Sequence, residues 1–128
     1  MHSTGSIPRR WSVADSRETY AVRKWGGSHF DISETGNLTA FPSDGLGETS
    51  QGLGIDLKEL VDEVRERGIG LPLLIRFPEI LKTRIVELNQ AFTGAIAEYG
   101  YKGQYRGVYP IKVNQDRYVV EQIVEYGR

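Results

Sequence analysis

The chain contains no cysteine. That excludes a disulfide framework, a thiolate metal site and a cysteine nucleophile, and it points to a reducing, cytoplasmic compartment. Histidine is nearly as scarce: His2 stands near the N-terminus and His29 follows a Gly26-Gly27 turn. Two histidines so far apart, without acids beside them in sequence, do not make a ligand set, and no residue is assigned to a metal. No apolar run exceeds a few residues, Leu71 to Ile75 being typical, so nothing spans a bilayer. An excess of charge is also missing. Sixteen Lys and Arg stand against 17 Asp and Glu, a net charge of -1, which removes the electrostatic case for nucleic acid or an anionic membrane. The opening MHSTGSIPRRW has arginines but not the apolar segment of a secretory signal. Gly26-Gly27 and Gly45 to Gly54 lack the strand-before, helix-after setting of a phosphate loop and read as turns.

What is present is an ordinary globular composition, 39% hydrophobic and 26% charged over 128 residues. Residues 1–18 are polar and aperiodic and are expected to form a flexible arm. Residues 19–77 read as a β-rich segment with one helix. Tyr20 to Trp25, Phe30 to Ile32 and Leu38 to Phe41, separated by turn residues, suggest a meander of three short antiparallel strands. Pro42 to Gly54 is a loop by its glycines. Ile55 to Arg67 predicts a helix with Asp56 as cap, Glu59 at the capping-box position, an apolar stripe of Leu57, Leu60, Val61 and Val64, and Gly68 as its stop. Leu71 to Phe77 predicts a buried strand.

From residue 78 the pattern alternates. Pro78 opens a helix whose apolar face is Leu81, Ile85, Leu88, Phe92, Ile96 and Tyr99, ending at Gly100. Tyr105 to Val113 predicts a strand, and Asn114 to Tyr126 a helix with Val119, Val120, Ile123 and Val124 buried. Strand, helix, strand, helix from Leu71 onward marks an α/β architecture.

Within the strand Tyr105 to Val113, alternation puts Tyr109, Ile111 and Val113 on one face and Val108, Pro110 and Lys112 on the other. Pro110 cannot donate to a ladder and suits a place where pairing runs out. In a barrel of parallel strands Lys112 would stand at the C-terminal mouth, where such folds keep their chemistry. An unprotonated amine there can condense with an aldehyde. The alternative is a solvated lysine at the end of a strand, and the residues alone leave both readings open. Arg76 is expected to form a structural ion pair, with contact to an acid near the site as the alternative. Asn114 is expected to cap the last helix and to line a pocket around Lys112. Arg106 and Tyr109 are near enough in sequence to touch it, with Tyr109 expected in the core.

The stretch Gly107-Val108-Tyr109-Pro110-Ile111-Lys112-Val113-Asn114-Gln115 closely resembles the cofactor-lysine motif of biosynthetic arginine decarboxylases. Leu71-Pro72-Leu73-Leu74-Ile75-Arg76-Phe77-Pro78-Glu79-Ile80-Leu81 resembles a second signature of that family, and the likeness extends from about Trp11 to the end. The Lys-x-Asn core is shared with other decarboxylases and racemases; Tyr-Pro-Ile before it and Gln115 after it favour the arginine branch. The resemblance implies decarboxylation of L-arginine to agmatine and CO2 in polyamine biosynthesis, with pyridoxal 5'-phosphate held by Lys112 and Asn114 in the cofactor pocket. It also implies magnesium, for which the sequence offers no carboxylate cluster, and a homodimer or higher homo-oligomer. The implied fold joins a β-rich domain to a (β/α)8 barrel; residues 78–128 would begin the barrel and residues 19–77 contribute to the other domain. On that basis the chain is expected to be an N-terminal fragment, inactive alone. Two alternatives are a decarboxylase of another basic amino acid and a non-catalytic pyridoxal-phosphate-binding module.

Overall fold

The computed structural model describes residues 9–42 and 54–127. His2, residues 1–8 of the expected arm and nearly all of the expected loop Pro42 to Gly54 lie outside the described residues. The chain divides into two compact units, Met1–Pro72 and Leu73–Arg128. The boundary expected from sequence falls after Phe77.

The first unit packs short helices against a small sheet. Helix α1, Val13–Thr19, starts at Ser12, whose side chain accepts from the Asp15 backbone N–H while Asp15 accepts from that of Ser12. Over residues 12–18 this capped helix departs from the flexible arm expected there. Ser12-x-x-Asp15 is a legible start signal, but no long apolar stripe follows it. Helix α2, Val22–Gly26, occupies the place expected for the first strand of the meander. Ala21 takes a left-handed φ of 49° just before it, which ends extended backbone, and Val22 is buried while Tyr20 and Trp25 stay exposed. Two apolar residues in alternation were too few to separate a strand from one helical turn.

The sheet is antiparallel with order β1-β2-β3: β1 is Phe30–Ile32, β2 is Leu38–Ala40 and β3 is Ile55–Asp56. Its third member is thus recruited from the expected start of a helix. The turn between β1 and β2 closes with Ser33 N–H donating to Asn37 O at 2.8 Å, and Gly36 supplies φ 88°. Helix α3, Leu57–Glu66, is capped by Asp56, which accepts from Lys58 and Glu59 N–H at 2.9 and 3.1 Å. The expected stripe of Leu57, Leu60, Val61 and Val64 is half-buried, and Gly68 ends the helix at φ 84°. The core is Val22, Ile32 and Ala40 with a buried His29. His29 Nδ1 meets Phe41 O at 2.9 Å, while its Nε2 has no hydrogen-bond partner. His29 is a core residue of the sheet edge.

Asp31 is nearly buried and lies 2.8 Å from Arg17 Nε and 3.3 Å from Arg23. Burial alone would raise its carboxyl, but the Ile32 N–H and the two guanidinium groups outweigh burial and hold it below the ordinary aspartate value. A lowered folded-state pKa stabilises fully above the unfolded value, and the benefit disappears as pH falls through the folded value. Asp31→Asn is therefore expected to cost about 2 kcal/mol at neutral pH. It should also flatten the acid loss of stability below about pH 3.9. Urea denaturation followed by tryptophan fluorescence across pH checks both; a wild-type acid profile in Asp31→Asn would refute the assignment.

The second unit is two helices and the segment between them. Helix α4, Pro78–Glu98, begins with proline in its first turn and ends before Gly100, which takes φ 60°. Its face of Leu81, Ile85 and Ile96 is half-buried; Leu88, Phe92 and Tyr99 are more open, Tyr99 being 80% exposed. Phe92 stacks on Tyr105 with ring centroids 4.0 Å apart. Helix α5, Arg117–Tyr126, packs on α4 and buries Val119.

Two strands expected from sequence are not formed. Leu71 to Phe77 is irregular, with Leu71 and Leu74 exposed, and Tyr105 to Val113 is extended coil closing in a short 3-10 turn, Ile111–Val113. A strand exists only through its ladder partner, and no described residue pairs with either segment. Of the expected fold, the mixed α/β class and the small antiparallel sheet are present; a barrel is not formed by these residues.

Candidate functional site

Lys112 occupies the middle of the Ile111–Val113 turn, closed by Val113 N–H donating to Pro110 O at 2.9 Å. It is exposed and among the described residues makes no ion pair or hydrogen bond. Lys58 pairs with Asp62 at 2.6 Å and Lys82 Nζ lies 5.8 Å from the Tyr126 ring centroid, whereas the Lys24 and Lys102 side chains, like that of Lys112, have no such partner among the described residues.

Side chains hold the turn from both sides. The Tyr109 hydroxyl donates to Asn114 O at 3.2 Å, bridging the residues that flank the lysine. Asn114 Oδ1 accepts from Asp116 N–H at 3.0 Å. Asp116 caps α5 by accepting from Tyr118 N–H at 2.9 Å through Oδ1, and its Oδ2 accepts from Arg76 at 3.3 Å. Asp116, not Asn114, is thus the helix cap, correcting the expected role of Asn114. An Asx turn to the residue two positions on competes with capping in any Asn-x-Asp sequence, and here Asp116 is the residue adjacent to the first helical turn. Arg76 forms an ion pair as expected, with Asp116 as the acid.

Beside the turn lies an apolar groove of about 470 Å³. Leu81, Ile85 and Leu88 of α4 form one wall and Val120, Ile123 and Val124 of α5 another. Tyr109 and Ile111 line it, as strand alternation would require of one face, but Val108 lines it too, because the backbone is not a regular strand. Val113 is 72% exposed, and Lys112 is not part of the lining. Arg106 is exposed. Sequence reasoning missed Asp116, although Asp followed by the apolar spacing of α5 is a legible cap signal.

The groups present fit a carbonyl partner in one respect: a primary amine open to solvent and not engaged by an acid, on a turn braced at both ends. The Asn114 amide nitrogen, two residues along the chain from Lys112, is an available donor, since only Oδ1 is engaged. Among the described residues no three His, Asp or Glu side chains gather to hold a metal ion. No helix among them is long and apolar enough to cross a membrane.

No family model matches the chain. Curated relatives do. It is 47% identical over 119 residues to the biosynthetic arginine decarboxylase of Gloeobacter violaceus, covering 92% of this chain and 18% of that protein. It is 48% identical over 119 residues to biosynthetic arginine decarboxylase 1 of Synechocystis sp., covering 93% and 16%. The match to the biosynthetic arginine decarboxylase of Thermosynechococcus vestitus is 43% identical and runs over all 128 residues, 19% of that protein, and so includes Lys112. Over at least 92% of its length the chain is therefore similar to proteins named biosynthetic arginine decarboxylase, and it spans less than a fifth of the length of these curated relatives.

Proposed function

We propose that this chain contributes the covalent cofactor anchor to an enzyme that converts L-arginine to agmatine and CO2. The observation that carries the proposal is similarity to relatives of that name across the whole chain, Lys112 included. Lys112 would hold pyridoxal phosphate through Nζ, and Asn114 would donate a hydrogen bond from its side-chain amide. Bound there, the cofactor supplies an electron sink for the pair left on the α-carbon when CO2 departs. The contribution of this chain is placement. Lys112 stands clear of neighbouring acids, so an aldehyde reaches its amine without displacing a partner. Tyr109 and Asn114 keep the backbone on both sides from swinging the amine away. The arginine-reading groups and a phosphate site are not assigned to any described residue, and no residue is assigned to magnesium.

Borohydride reduction of the complete gene product with pyridoxal phosphate, followed by peptide mapping, tests the proposal. Label is expected on Lys112, with agmatine formed in preference to products of other basic amino acids. Label on a different lysine would sink the anchor assignment; turnover of ornithine or lysine in place of arginine would sink the substrate assignment.

A further inference from the structure

We infer that Tyr109 and the Arg76–Asp116 pair are positioning residues for Lys112, an inference that rests on Lys112 being the cofactor anchor. The turn carrying the lysine has one backbone hydrogen bond of its own, Val113 N–H to Pro110 O. What ties it to the surrounding unit is a relay of side-chain contacts. The Tyr109 ring lines the apolar groove, which anchors it, and its hydroxyl reaches across the lysine to Asn114 O. Asn114 Oδ1 then holds Asp116 N–H, and Asp116 divides its two oxygens between the start of α5 and Arg76. Arg76 stands 40 residues earlier in sequence, just ahead of Pro78 at the start of α4. The relay therefore fixes the lysine against the starts of both helices of the unit.

Stability does not account for this arrangement. Arg76 and Asp116 are 35% and 43% exposed, and ion pairs open to water add little to folding. The tyrosine bond joins groups that solvent could satisfy separately. Such contacts restrict where a backbone sits, and for a reacting amine small displacements matter greatly.

The test uses the complete gene product. Tyr109→Phe keeps the ring in the groove and removes the donor; Arg76→Ala breaks the pair, and Arg76→Lys restores a cation. Tyr109→Phe and Arg76→Ala are expected to keep the wild-type melting temperature and a KM for arginine within about two-fold, while kcat falls about ten-fold. In cofactor-stripped protein, capture of pyridoxal phosphate by Lys112, read as borohydride-fixed peptide against time, should slow by about the same factor, with partial recovery in Arg76→Lys. Wild-type capture rates in both variants, with the label still on Lys112, would overturn the positioning role and leave the anchor assignment intact. Loss of soluble protein or a lowered melting temperature with unchanged capture would overturn it as well, since that is the behaviour of a structural contact. Wild-type label on another lysine is the separate outcome that removes the anchor itself.

Discussion

Lys112→Ala in the complete gene product is expected to reduce arginine decarboxylation by about a thousand-fold or more while leaving the fold unchanged. The size of the effect follows from what a tethered amine provides. Covalent attachment holds the cofactor beside the substrate, and exchange of one amine for another at the same carbon avoids attack on a free aldehyde; both advantages go with the side chain. The cost to folding should stay within about 0.5 kcal/mol, because Lys112 is exposed and the turn is held by its neighbours. Lys112→Arg is the sharper control. It keeps a positive charge and a long stem, but a guanidinium stays protonated and cannot act as a nucleophile, so it should fail as badly as alanine. Initial rates of agmatine release, together with visible absorbance of bound cofactor, check both variants. Activity above about a tenth of wild type in either variant would overturn the anchor role, because an electrostatic or packing function loses far less than a covalent one.

The 128 residues expressed alone are expected to self-associate in a concentration-dependent way and to form no agmatine. Leu74, Val108 and Val113 are 78%, 89% and 72% exposed, and the groove between α4 and α5 is open with apolar walls. Among the described residues of the second unit, Val119 is the one buried apolar side chain. A unit this size buries too small a fraction of its apolar surface to be stable without further packing. Covering an exposed Leu or Val contributes about 1.5–3 kcal/mol, so joining two such surfaces is favoured once concentration offsets the entropy of association. Sedimentation velocity over a range of concentrations should show a shifting distribution, and Val108→Lys should shift it toward smaller species. A single monomer peak at all concentrations, melting cooperatively, would contradict the expectation.

The features legible in sequence are those whose physics is local. Helices α3, α4 and α5 follow from signals within one or two turns: Asp56 ahead of Leu57, Pro78 at a helix start, Gly68 and Gly100 at positive φ, and apolar residues every three or four positions. The Ser12-x-x-Asp15 box of α1 is equally local, but the helix it starts buries no residue and so has no apolar stripe to announce it. Strands behave differently. Phe30–Ile32 and Leu38–Ala40 were legible through the turn that joins them, whereas Ile55–Asp56 pairs with Thr39 and Ala40, which no local pattern announces. Leu71 to Phe77 and Tyr105 to Val113 have the composition of strands without a described ladder partner, so composition alone misassigned them.

For the site, sequence by itself determined which amine to watch: a lysine followed by Val-Asn-Gln within a motif of known kind is a property of consecutive residues. The surroundings of Lys112 were decided by the tertiary structure alone. Tyr109, expected in the core, lines the apolar groove and also bridges the lysine turn through its hydroxyl; Asn114 yields the helix cap to Asp116; Arg76 finds its partner 40 residues away. Hydrogen bonds and ion pairs between side chains depend on where distant backbone segments come to rest, and that position is set by the packing of α4 against α5 rather than by any pattern within the segment that carries the lysine.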